Sequence, residues 1–92
     1  MRKAADGLLA AKAAIRCHEM IELLESLGFE VRAGRKQGHR IVVHHGIEGF
    51  HSAAFTCGHG RNPEIKPVYV TQMAKLLRRY EVELGEWLER KS

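Results

Sequence analysis

Apolar and polar positions alternate along this chain with two different rhythms. From Arg16 to Leu27 the apolar residues Cys17, Met20, Ile21, Leu24 and Leu27 recur at spacings of three and four. That is the stripe of an amphipathic helix, and Glu19, Glu22 and Glu25 fall mostly off it. Gly28 follows at once and suits the left-handed position that ends a helix. Phe29 to Arg32 then alternates with period two, as a strand with one buried face does. A glycine-bearing turn leads into Arg40 to Val43 or His44, whose β-branched Ile41-Val42-Val43 predicts a second strand. A second turn, 45 to 49, precedes Ser52 to Cys57, which predicts a third strand. Residues 58 to 63 form a loop, and Pro67 stands near the start of a closing helix. In that helix Met73, Leu76, Leu77, Tyr80, Leu84, Trp87 and Leu88 keep helical spacing through Gly85. The pattern predicts one long helix from about Val70 to Arg90, or a break near Val82 to Gly85.

The order helix, strand, strand, strand, helix predicts an α+β domain. Two helices cover one face of a three-stranded antiparallel sheet, and the other face is free for a ligand or partner. Residues 1 to 92 make a single domain, with 16 to 80 as its core and 81 to 92 as a helical extension. The alanine-rich residues 1 to 15 lengthen the first helix upstream or trail as an arm. The apolar stripe of the last helix outruns three short strands. Its far end is therefore expected to pack on the arm or on a second copy, as a homodimer.

Composition adds modest constraints. Hydrophobic residues make up 45% of the chain, which excludes disorder throughout. The formal charge of +4 favours polyanionic partners. Cys17 and Cys57 fit no CxxC pattern, so free thiols in a reducing cytoplasm are expected. No signal peptide is evident, and no apolar run is long enough to span a membrane.

The stretch from Arg32 to His45 carries the densest candidate chemistry. Gly34 and Gly38 stand among Arg32, Arg35, Lys36 and Arg40, and His39 lies where this basic turn feeds a strand. A histidine gives and takes protons near neutral pH, and adjacent cations hold phosphate oxygens. Gly38 lets a backbone approach closely. The plainer reading is a surface histidine among solvated charges. His44, His45, His51, Cys57 and His59 invite a zinc reading. Their spacing matches no standard ligand set, so no metal or other cofactor is expected. Cys57 beside His59 lacks an orienting third group and reads as an inert thiol. Lys75, Arg78 and Arg79 form a solvated helix side, or an extension of a basic footprint.

Residues 21 to 31, Ile-Glu-Leu-Leu-Glu-Ser-Leu-Gly-Phe-Glu-Val, resemble the helix-to-strand opening of the HicA-type toxins. These are small ribonucleases with a double-stranded-RNA-binding-like fold. Gln37-Gly38-His39, followed by residues 40 to 44, is similar to their glycine-serine-histidine signature at the second strand. His59-Gly60 and Lys66-Pro67 fit their later histidine-glycine and lysine-proline landmarks. The resemblance spans about residues 16 to 80. Gly38 replaces the signature serine, Gln37 stands where glycine is usual, and residues 49 to 56 are less typical.

The resemblance implies a cytoplasmic endoribonuclease that cleaves mRNA and is held inactive by a HicB-type antitoxin. His39 takes the place of the catalytic histidine. Arg32, Arg35, Lys36, Gly38 and Arg40 become its RNA contacts, with His59 and Lys66 as accessory residues. Two alternatives stand beside it: a non-catalytic RNA-binding module of the same fold, and a protein-interaction module that touches no nucleic acid.

Overall fold

The structure is a computed structural model that describes residues 15 to 58 and 60 to 91. Its elements are α1 (Cys17–Ser26), β1 (Glu30–Ala33), β2 (His39–Val43), β3 (Ala53–Thr56), α2 (Pro67–Arg79) and α3 (Glu81–Lys91). The three strands form one antiparallel sheet in the order β1-β2-β3. This is the expected α+β arrangement, with one helix more among the described residues than the apolar pattern required.

Helix α1 buries Cys17, Met20 and Leu24, the stripe read from the sequence. Its first turn is secured from a distance. The Cys17 N–H donates to the Pro63 carbonyl at 2.9 Å and the His18 N–H to Asn62 Oδ1 at 3.0 Å. Glu19 Oε1 accepts from the Arg16 N–H at 2.9 Å, so the first two helical donors and the N-cap N–H are met here. At the other end, Gly28 takes φ +91° and turns the chain into β1.

The register fixes the two faces of the sheet. Val42 pairs with Val31 and Ala53, and Arg40 with Phe55. Val42 and Phe55 are almost wholly buried and, with Met20, Leu24, Val70, Leu77 and Leu84, make the core. Because successive strand residues point to opposite faces, His39, Ile41 and Val43 share the other face, open with respect to the described helices. Arg32 lies opposite Ile41, and Thr56 opposite His39, on that same face.

Two expectations are corrected here. The cysteines are not free thiols: Cys17 and Cys57 form a disulfide with Cα atoms 5.4 Å apart. It joins the start of α1 to the residue just after β3 and closes a loop 40 residues apart in sequence. Loop-closure entropy of that size corresponds to about 4 kcal/mol of stabilisation. The last helix is also not continuous, and it breaks before the predicted region. Helix α2 ends at Arg79, Tyr80 caps it, and α3 starts at Glu81, with Gly85 inside α3. The break swings the far end of the stripe back onto its own chain. There Trp87 meets His44 edge-on at 5.0 Å between ring centroids, and it fills the space above Gly28 and Gly46. The expected contact with residues 1 to 14 lies outside the described residues. No helix among the described residues is long and apolar enough to cross a membrane.

Candidate nucleic-acid interface

The turn from Gly34 to Gly38 is closed by two backbone bonds. The Gly34 N–H donates to the His39 carbonyl at 2.8 Å, and the His39 N–H to the Lys36 carbonyl at 3.1 Å. A third bond, Cys57 N–H to the Gly38 carbonyl at 2.7 Å, ties the turn to the end of β3. His39 is therefore the first residue of β2 rather than a loose turn residue, and its backbone is held from both sides. Gly38 adopts φ +82°, and a Cβ there would overlap the Cys57 carbonyl oxygen. Only glycine meets both conditions without displacement.

The imidazole of His39 lies on the open face, over Gly34. A Cβ on Gly34 would overlap ring Cδ2. Around the ring is an open depression of about 530 Å³, lined by Arg35, Lys36, His39, Ile41 and Thr56. That volume falls in the range of about 300–1,000 Å³ typical of small-ligand sites. Arg35 and Lys36 are exposed cations at its rim, Ile41 supplies an apolar wall, and no carboxylate lines it among the described residues. Such a depression favours an anionic ligand with an apolar part, as a nucleotide is.

The other predicted contacts separate from this site. Arg32 is on the open face but pairs with the Glu30 carboxylate, and this hydrogen bond holds Glu30 below the usual carboxylate range. Arg40 is on the helix-covered face, half-buried, with Nη1 donating to the His39 carbonyl at 3.2 Å. It braces the backbone of His39 and does not reach the depression. Gly38 shapes the turn. Lys66 is exposed at the N-cap of α2 and is not among the lining residues. His59 lies outside the described residues.

The other described histidines do not gather into a metal-holding group. His44 is buried, its Nε2 bonds the Leu27 carbonyl at 3.0 Å, and its Nδ1 accepts from the Gly46 N–H at 3.0 Å. Among the described residues no three His, Cys, Asp or Glu side chains are placed to hold a metal ion.

No family model, curated protein or solved structure matches the chain.

Of the residues lining the depression, the sequence singles out His39, Arg35 and Lys36 as candidates, but not Thr56. Period two puts Thr56 on the face opposite Phe55, yet only the β2–β3 register sets it beside His39.

Proposed function

We propose that this chain is an RNA-cleaving toxin of the HicA type, with His39 as its proton-transfer residue. One observation carries the reading: an imidazole on an open sheet face, within a depression rimmed by Arg35 and Lys36. In this reading Arg35 and Lys36 bind the phosphates on either side of the scissile bond. His39 accepts the proton of a 2′-hydroxyl as that oxygen attacks phosphorus, and the cations offset the growing charge. Arg32 and Arg40 take lesser parts, the first as an outlying contact and the second as a brace. The substrate is mRNA in the cytoplasm. The Cys17–Cys57 disulfide is the feature that counts against this compartment, since such bonds are rare in a reducing cytosol. A HicB-type antitoxin would silence the site by covering the open face.

The second reading, a non-catalytic RNA-binding module, is favoured by Gly38. The family's serine is missing, and the contact with Cys57 leaves no room for its side chain. Incubation of the purified chain with a short RNA in the presence of a chelator separates the two. The toxin reading predicts cleavage that stops when the 2′-hydroxyl at the cut site is removed. Salt-sensitive binding with no cleavage supports the module. Absence of binding at low salt contradicts both.

A further inference from the structure

His39 and Thr56 are directly opposed across β2 and β3. The Cys57 N–H to Gly38 carbonyl bond lies just beyond the pair, so His39 and Thr56 occupy a position between ladder bonds. Side chains approach most closely at such positions, with Cα atoms about 4.5 Å apart. Both residues line the same depression as Arg35 and Lys36. Thr56 is also stiffly mounted. The next residue, Cys57, is bonded to Cys17 and to Gly38, and a β-branched side chain has few rotamers. Among the described residues its hydroxyl has no hydrogen-bond partner. A hydroxyl is a donor that can meet a phosphate oxygen.

We propose that Thr56 is a second substrate-contacting residue, whose hydroxyl donates a hydrogen bond to a non-bridging oxygen of the phosphate served by His39. The proposal rests on the RNA-cleaving reading. In the step, the 2′-oxygen forms a bond to phosphorus and its proton passes to the His39 ring. The bond from phosphorus to the 5′-oxygen breaks, that oxygen takes a proton from water, and the hydroxide left takes the proton held by His39. Thr56 gives up no proton. Its hydrogen bond strengthens as charge collects on the non-bridging oxygen, so it acts more on kcat than on KM.

Thr56→Val keeps the branched shape and removes the hydroxyl, and Thr56→Ser keeps the hydroxyl. In the full chain, Thr56→Val should lower kcat about 10- to 100-fold with an unchanged melting temperature. Thr56→Ser should stay within a few-fold of wild type. Wild-type cleavage by Thr56→Val overturns the proposal, as does a Thr56→Ser variant equally slow. A 2′-deoxy oligonucleotide of the same sequence supplies an arm independent of cleavage. Thr56→Val should bind it several-fold more weakly than wild type, and equal affinity overturns the phosphate contact. Should the wild type bind this probe and cleave nothing, the catalytic reading fails while the contact of Thr56 is still judged by affinity.

Discussion

The ring of His39 rests on the bare Cα of Gly34. The two residues are cross-strand neighbours, joined by the 2.8 Å bond from the Gly34 N–H to the His39 carbonyl. A Cβ on Gly34 would also press on His39 Cγ at 3.0 Å and Cβ at 3.2 Å. Gly34 is not among the glycines with positive φ, so its backbone admits alanine. The strain of Gly34→Ala therefore falls on the ring. The variant is expected to remain folded, to shift the His39 ring resonances in NMR spectra, and to cleave about 10- to 100-fold more slowly, since misplacement by about 1 Å costs that much. Unchanged resonances and an unchanged rate would show that glycine at this position sets nothing.

Gly38 tests why this chain departs from the toxin signature. Its positive φ and its contact with the Cys57 carbonyl both resist a side chain. Cys57 cannot retreat freely, because it is bonded to Cys17. Gly38→Ser should destabilise the fold by about 1–3 kcal/mol, read as a lower denaturant midpoint at constant m-value. Equal stability would mean that the turn relaxes readily and that serine was lost for some other reason.

His44 predicts a pH dependence of stability. It is buried edge-on between Phe29 and Trp87, with ring centroids 4.8 Å and 5.0 Å away. Burial lowers its pKa from the ordinary histidine value, the Leu27 carbonyl bond partly opposes this, and the nearby charge of His45 adds to it. Protonation would also cost Nδ1 its bond from the Gly46 N–H. The folded value lies below the unfolded one, so the contribution is complete above pH of about 6.5 and is lost as pH falls through the folded value. His18 lies 2.8 Å from Glu22 and His45 3.8 Å from Glu30, so His44 is not the only histidine beside a partner. The informative quantity is thus the difference between wild type and His44→Gln. That stability difference should shrink as pH falls from 7 to 5, with the single tryptophan, Trp87, reporting in fluorescence. A difference that holds constant with pH would contradict neutral burial of His44.

Much of this architecture was legible because each period maps onto one burial pattern. Met20 and Leu24 on α1, Val42 on β2, and Met73 and Leu77 on α2 are buried where the spacing puts them. The break at Tyr80 was not legible. Leu84, Trp87 and Leu88 keep helical phase whether or not the axis bends, and only the folded chain shows Trp87 seated over Gly28 and Gly46. The disulfide was hidden for a similar reason. Nothing local links Cys17 to Cys57; only the packing of α1 beside the end of β3 brings them together. At the site, alternation alone separates Arg40 from His39, since neighbours on a strand face opposite ways. Proximity in sequence therefore does not put Arg40 and His39 beside the same phosphate. Thr56 required the register, which no single strand encodes.

A proton moved by His39 in RNA cleavage makes the rate depend on that one side chain. The rate of RNA cleavage by purified His39→Ala should fall about 10²–10⁴-fold below wild type, the usual range for a lost general acid or base. Its melting temperature and its affinity for a 2′-deoxy oligonucleotide should be retained, because the ring lies on the open face and Arg35 and Lys36 remain. Cleavage by His39→Ala at the wild-type rate would contradict the account.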